Sequence, residues 1–548
     1  MFFLTKKSRL SYIHISKRNL YQPLLMSQKP PPLTESQSPS RETTLADVKQ
    51  LGLWASIASL SYVFWIVGGM EMVERLAYYG VRAVATIYAT RAQSDGGLGV
   101  TMATFGWLLL SWNLLQSLVP IFTGGLSDRY GYKQTIFAST VLKSFGYLLM
   151  AWFPHYWGFF AGAMFLAVGT AVFKPGIQGT LIKASNRQNS SMAWGIFYQT
   201  VNIGGWIGPL IALQMRHLDW KYVFYTNAGF ICLNFLLLLT YQEPGKAERV
   251  ARQKRLREGR EKRTNLFLES LRELKKPHLS AYLLIFSVWW LMFPMLWDVL
   301  PKYVEDWVDT SVLVTTLFGS EGTQSGLWHF LFGMTENGQS IEPEGIVNIN
   351  AGMIMITCFL FAGLSAKMRA TTSMLVGTGL VTAALCLFGL MPVIWFAIAA
   401  MIIFSIGEML SSPKFSEFLG NIAPPDKKAM WIGFSQAPIL IGWTIEGKLG
   451  PHLYHLFSSK DVFARELLVG RGMNPELVTD SALPVGEAFH KLVEYTGQSP
   501  ESLTRLLYES HNVGFTWYFF GIVGVLSALM IYLYGRWILI LAKRERTE

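Results

Sequence analysis

Glu71-Met-Val-Glu-Arg-Leu-Ala-Tyr-Tyr-Gly-Val-Arg82 lies inside a long apolar run, a place where charge is costly. Glu71, Glu74, Arg75, Tyr78, Tyr79 and Arg82 fall at i, i+3, i+4, i+7, i+8 and i+11. On a helix they form one polar stripe along a hydrophobic rod. An ionisable group facing lipid at mid-membrane costs roughly 2.5 to 3.5 kcal/mol on the gentlest scale, so the four charges are expected to face a watered cavity inside a helix bundle. The alternative is a buried network in which two Glu and two Arg cancel and fix helix packing.

The composition around this stretch is that of a membrane protein. In 548 residues, 51% are hydrophobic, 14% aromatic and only 15% charged, and the mean hydropathy is +0.31. A polytopic, all-α integral membrane protein is expected. The net charge of +11 sits largely in loops, where it sets orientation rather than binding nucleic acid. Cys232, Cys358 and Cys386 lie in apolar runs without metal-ligand spacing, so neither disulfides nor metals are indicated. Phosphate loops, nucleophile triads and zinc spacings are missing too, which argues against an enzyme or an ATP-driven pump, and no cofactor is expected.

Apolar runs of spanning length begin near residues 60, 104, 134, 156, 194, 221, 281, 348, 372, 393, 429 and 513, giving twelve transmembrane helices in two six-helix halves. The expected organisation is a disordered basic segment 1–50, a first bundle 51–242, a basic linker 243–279, a second bundle 280–541 and a tail 542–548. Outer loops are expected at 303–347 and 451–512. From Glu243 to His278 there are twelve Lys/Arg against six Asp/Glu, and from Pro301 to Val347 seven carboxylates against one Lys. That asymmetry places the linker and both termini in the cytosol and the chain in the cell (inner or plasma) membrane. Residues 1–34 hold six cations and no acid. They read as a cytosolic tail, an upstream extension before Met26, or an organellar presequence.

An internal repeat supports two halves. Gly125-Leu-Ser127 recurs as Gly363-Leu-Ser365, and the same offset carries Pro175 to Pro413 and nearly carries Gly205-Trp206 to Gly442-Trp443. Paired halves are what alternating-access transporters are built from.

Glu71-x-x-Glu-Arg-x-x-Tyr-Tyr-Gly80 resembles the ExxER[FY]xYYG signature of the proton-dependent oligopeptide transporter (POT/PTR) family of the major facilitator superfamily. Further boxes agree with that resemblance: Gly124-Gly-Leu-Ser-Asp-Arg-Tyr-Gly-Tyr-Lys133 is similar to the superfamily's loop motif, Phe173-Lys-Pro-Gly176 to FxKPN, Phe197-Tyr-Gln-Thr-Val-Asn-Ile-Gly204 to FYxxINxG, Asn348-Ile-Asn-Ala351 to INP, and Gly407-Glu-Met-Leu-Ser-Ser-Pro413 to GExxxSP. Read alone, Lys174 snorkels or pairs, and Asn202 makes an interhelical hydrogen bond.

The resemblance implies a major facilitator fold and a proton-coupled symporter of di- and tripeptides working by alternating access. It assigns proton coupling to Glu71, Glu74, Arg75, Lys174 and Asp298, and substrate binding to Tyr78, Tyr79, Arg82, Lys174, Asn202, Asn350 and Glu408. The expected partners are a small-molecule substrate and membrane lipid, with no nucleic acid, and a monomer is the expected state. Lys414 and Glu417 read as a surface i,i+3 pair.

Departures keep other cargoes open. Span seven, Ala281 to Leu300, holds Trp289 and Trp290 but no Glu, and Asp298 is its one acid. No Tyr occurs between Ser111 and Gly124, and Ser435 stands where the family places a Trp. A nitrate, carboxylate or drug transporter, or a non-transporting receptor or scaffold, are the alternatives.

Overall fold

The computed structural model describes residues 53–186, 189–258, 272–422, 431 and 434–547. The expected leader 1–50 and the linker stretch 259–271 lie outside the described residues, as does much of 423–433. Twelve long helices follow one another: α1 Tyr62–Thr90, α2 Met102–Tyr130, α3 Tyr132–Trp152, α4 Tyr156–Ala184, α5 Ser190–Leu218, α6 Trp220–Leu239, α7 Pro277–Met292, α8 Ile349–Ala366, α9 Ala370–Leu390, α10 Ile394–Ile422, α11 Gln436–Phe457 and α12 Phe515–Thr547. Their starts fall within a few residues of those expected, except α11, whose described helix begins at Gln436.

Ten stretches on these helices are long and apolar enough to cross a membrane. The other two helices are α1, which carries Glu71, Glu74, Arg75 and Arg82, and α11, which carries Glu446 and Lys448. The protein is thus an all-α, multi-helix structure, and these two less apolar helices carry Glu71, Glu74, Arg75, Arg82 and Glu446 buried. Large apolar side chains such as Leu236, Ile356, Leu360 and Ile522 are exposed on the outer faces of α6, α8 and α12, as surfaces that meet lipid tails should be.

Helix starts follow local chemistry. Ser61 caps α1 by accepting from the Phe64 N–H at 3.3 Å, and Thr101 does the same for α2 through Thr104 at 3.2 Å. Each supplies an acceptor to one of the otherwise unpaired first-turn donors. Between α2 and α3 the chain turns on Gly131 alone, at φ 116°, a backbone region that a side chain strongly disfavours. Gly131 lies within the stretch Gly124–Lys133 that is similar to the loop motif.

Helices α1 to α6 pack among themselves, chiefly α1 on α5 and α6 and α3 on α4, while α9 packs on α10 and α12, and α7 on α11. The two groups meet along α2 against α11 and α5 against α8. The repeat takes its place here: Ser127 and Ser365 sit at the ends of α2 and α8, and Pro175 and Pro413 lie inside α4 and α10.

The expected linker forms a helix over Lys246–Arg257. After α7, Pro294 interrupts the helix, which resumes as the turn Met295–Asp298 and the short helix Leu300–Trp307. Short helices Ser311–Phe318 and Gly326–Phe332 follow before α8, and Lys460–Gly470, Ala488–Thr496 and Pro500–Ser510 before α12. The second loop was expected from residue 451, yet α11 continues to Phe457 through Pro451.

Candidate functional site

The polar stripe of α1 is buried in protein. Glu71 is 4% exposed, Glu74 0%, Arg75 7% and Arg82 3%. The sequence placed these charges against water, but they pair with one another and with neighbouring helices. Arg75 Nε lies 2.8 Å from Glu71 Oε1, one turn earlier, and 2.9 Å from Glu74 Oε2. Lys143 of α3 closes the set, its Nζ 3.2 Å from Glu74 Oε1 and 3.9 Å from the centre of the Phe173 ring. The Thr170 hydroxyl donates to the same Glu74 oxygen at 3.3 Å.

Two carboxylates and two cations therefore balance inside the first bundle. The resemblance places Lys174 in proton coupling with the α1 glutamates, whereas the cation that reaches Glu74 is Lys143, which lies outside the motifs. The signal was available, because Lys143 is a lone charge inside the run that starts near residue 134. With Glu74 taken, Lys174 is half-buried and makes no ion pair or hydrogen bond among the described residues, while staying within electrostatic reach of Arg75, Glu74 and Glu71.

Arg82 points across to the second bundle. Its Nη2 is 2.6 Å from Asp298 Oδ1, and its guanidinium lies 5.3 Å from the Trp112 ring centre. The break at Pro294 sets this up, since Asp298 ends the turn that follows it and donates its N–H to the Pro294 carbonyl at 3.0 Å. Glu446 of α11, also missed from the sequence, lies against Asp298 and is 0% exposed.

The second bundle offers one more acid. Glu408 is 8% exposed and accepts from Asn350 Nδ2 at 2.9 Å. It has no cationic partner among the described residues. Asn350 also donates to the Ser405 hydroxyl at 3.1 Å, and Asn202 donates to the Tyr198 carbonyl at 2.9 Å. Tyr79 stands in electrostatic reach of both Arg75 and Glu408, and Tyr198 of Glu408 and Tyr79, so these two rings lie between the charge sets. Tyr78 is buried edge-on to Trp112, with ring centres 6.2 Å apart. Lys414 pairs with Glu417 at 2.7 Å, the lysine buried and the glutamate half-exposed.

Every ion pair between the bundles, among the described residues, lies toward the end that carries the two long loops. Beyond Arg82–Asp298 these are Arg91–Glu305 at 2.6 Å, Arg216–Glu342 at 2.6 Å, Arg216–Glu344 and His217–Glu342. Lys302 and Asp306 extend the Glu305 set. Burial raises the Glu305 carboxyl, but Lys302 and Arg91 outweigh it and hold the group down at about 2. Burial is likewise overcome at Glu342 by His217 and Arg216, which hold it at about 2. A cavity of about 440 Å³ opens beside this clasp, lined by Arg91, Asp95, Arg216, His217 and Glu342.

A family model described as Major Facilitator Superfamily matches residues 74–445. An uncharacterized transporter, YclF, of Bacillus subtilis is 28% identical over 201 residues, 36% of this chain and 39% of that one. A di-/tripeptide transporter of Lactococcus lactis is 30% identical over 146 residues, 26% of this chain and 29% of its own. In both, the match spans well under half of the relative's length. Among solved structures, a POT family transporter in complex with 5-aminolevulinic acid superposes with a TM-score of 0.61 at 17% identity, covering 90% of this chain and 99% of that one. That likeness is one of fold. With the superfamily match running over well over half of its length and the fold shared with POT transporters, the chain is a multi-pass membrane protein that belongs to the Major Facilitator Superfamily.

Proposed function

We propose that the protein is a proton-coupled symporter of small zwitterions, di- and tripeptides first among them, moving them by alternating access. One observation carries this reading. Lys174 in the first bundle and Glu408 in the second are opposite charges without charged partners of their own among the described residues, with Tyr79 and Tyr198 in reach between the sets. A zwitterion supplies the missing partners, its carboxylate to Lys174 and its ammonium to Glu408 and Asn350. Charge-assisted bonds at both ends fix the backbone and leave side chains free.

Proton coupling enters through Glu71 and Glu74. While Arg75 and Lys143 hold them, both have charged partners; when a substrate carboxylate draws on Arg75 and Lys174, one glutamate loses its partner and takes a proton. Arg82–Asp298 belongs to the same cycle as the pair that ties the bundles together. The excess of Lys and Arg in the linker supports a cytosolic position for its own end; on that reading the clasped end faces outward and the arrangement is the inward-facing half of the cycle.

Its relatives support a transporter, and one of them a di-/tripeptide transporter. The neighbour bound to 5-aminolevulinic acid supports a second reading, a single amino-acid-like zwitterion as cargo. The test is uptake of a labelled dipeptide into proteoliposomes with and without an inward acid gradient, for wild type and Lys174→Ala. Gradient-driven accumulation lost in the variant is the expected result. Uptake that ignores both the gradient and the variant would overturn the reading, and competition by 5-aminolevulinic acid but not by dipeptides would favour the second.

A further inference from the structure

In the first long loop, the helices Ser311–Phe318 and Gly326–Phe332 are apolar without being covered. Five of the seven residues of the second are Leu, Trp or Phe, and none of the seven is buried. Leu317 is 53% exposed and Leu327 63%, and Val312 and Trp328 are exposed too. Contiguous apolar surface of this kind marks a contact with something other than water.

The loop sorts its chemistry. Phe318, Trp328 and Phe332 bring the two helices together, with ring centres 5.6 to 6.2 Å apart. The polar turns are knitted to each other instead: the Thr323 N–H donates to the Gly338 carbonyl at 3.2 Å, the Gln324 amide to the Asn337 carbonyl at 3.2 Å, and His329 Nε2 lies 2.7 Å from the Thr323 carbonyl. Glu321 and Glu336, in those turns, are exposed.

The apolar pair also adjoins the surface that meets lipid. Ser311–Phe318 packs on α10 and Gly326–Phe332 on α5. A Cβ on Gly333 would stand 3.1 Å from Leu213 Cδ2, and Leu213 lies about 7 Å along the axis short of the end of α5 at Leu218. The second helix therefore reaches below the rim of α5 and does not float above it. Exposed tryptophans mark the membrane boundary at this end, since Trp107, Trp152, Trp157 and Trp395 lie within two turns of the loop-end termini of α2, α3, α4 and α10. Trp328 adds a fifth.

We propose that Ser311–Phe332 is an interfacial anchor whose two helices lie in the headgroup–acyl boundary of the leaflet at the loop end, and that this lipid contact holds the clasp acids of the second bundle in place. Both ends of the segment are tied to the stretch that carries those acids. Before it, Thr310 Oγ1 donates to the Ile341 carbonyl at 2.8 Å and accepts from the Ile341 N–H at 3.0 Å; after it, the Glu342 N–H donates to the Gly333 carbonyl at 2.9 Å. Glu342 and Glu344 are the partners of Arg216. No Lys or Arg occurs between Lys302 and Lys367, so the loop has no cation to draw anionic headgroups, and its seat rests on apolar area and is indifferent to lipid charge.

The test needs neither cargo nor gradient. Nitroxide labels are placed singly at Leu317, Leu327 and Glu321 in the full chain, with Cys232, Cys358 and Cys386 changed to Ser, and read in nanodiscs of neutral or anionic phospholipid by collision with oxygen and with a water-soluble nickel chelate. The oxygen-to-nickel ratio at Leu317 and Leu327 should exceed that at Glu321 several-fold, equally in both lipids. Trp328→Asp should return the Leu317 label to water and broaden the distance between paired labels at Ser94 and Gln339, exposed positions on the two bundles. Nickel access at Leu317 and Leu327 equal to that at Glu321, immersion in anionic lipid alone, or shielding from both reagents by a second copy of the chain would overturn the anchor. An unchanged Ser94–Gln339 distance in Trp328→Asp would overturn its hold on the clasp.

Discussion

Lys143 Nζ stands 3.2 Å from Glu74 Oε1 with both side chains at 0% exposure, so a helix outside the signature stretch holds one of its two glutamates. Removing either partner strands the other as a buried charge. Lys143→Met is expected to cost about 3 to 5 kcal/mol of stability, and the double change with Glu74→Gln to recover much of it. Thermal unfolding of the single and double variants in detergent measures the coupling; additive losses would mean the pair is not made.

Glu408→Gln keeps the shape and the acceptor for Asn350 while removing the charge. Dipeptide uptake should fall at least about tenfold, since an ion pair to the substrate's ammonium is worth more than 1.4 kcal/mol in a desolvated site. Thermal stability should change little, which separates a binding role from a structural one.

The Arg91–Glu305 pair has a definite pH signature. Glu305 is held at about 2, below the ordinary carboxylate value, so its contribution is fully present above that ordinary value and is lost as pH falls toward about 2. Both side chains are a fifth to a quarter exposed, which keeps the pair near ~1 kcal/mol. Arg91→Ala should therefore lower the melting temperature by a constant amount from about pH 6 to about pH 8, and the difference from wild type should shrink under strong acid. A difference that varies across the neutral range would contradict the assignment.

Gly204 lets α5 lie against α1: a Cβ there would stand 2.6 Å from the Met72 carbonyl oxygen and 2.9 Å from Arg75 Cβ. Gly204→Ala is expected to destabilise by about 1 to 3 kcal/mol and to disturb the Arg75 pairs with it. A thermal shift together with the acid dependence of uptake reads both effects; an unchanged profile would show that the helices can part without moving Arg75.

Much of this was legible because membrane helices declare themselves by apolar length and their sites by charge inside it. Lys174, Glu408 and Asp298 stand out in the sequence on that ground. Lys143 and Glu446 satisfied the same criterion and were passed over, since no familiar motif surrounds them. What a sequence does not disclose is pairing. Whether Lys143 or Lys174 reaches Glu74 depends on how α3 and α4 rotate against α1, and whether Asp298 meets Arg82 depends on the break at Pro294. The extension of α11 past Pro451 was hidden for a related reason: a proline signals a helix end unless neighbouring helices hold the chain on both sides, as they do here.

The burial of charge on α1 also constrains how the chain is made. Its four ionisable side chains find partners of opposite charge type on the helix itself, on α3, and on the turn after α7. As it leaves the ribosome this span is thus poorly suited to lipid by itself, because Glu74 waits for Lys143 about seventy residues later in the sequence and Arg82 waits for Asp298 over two hundred later. Its settled place in the membrane depends on later spans, and a nascent chain interrupted before α3 would carry an unpaid debt of charge across the bilayer.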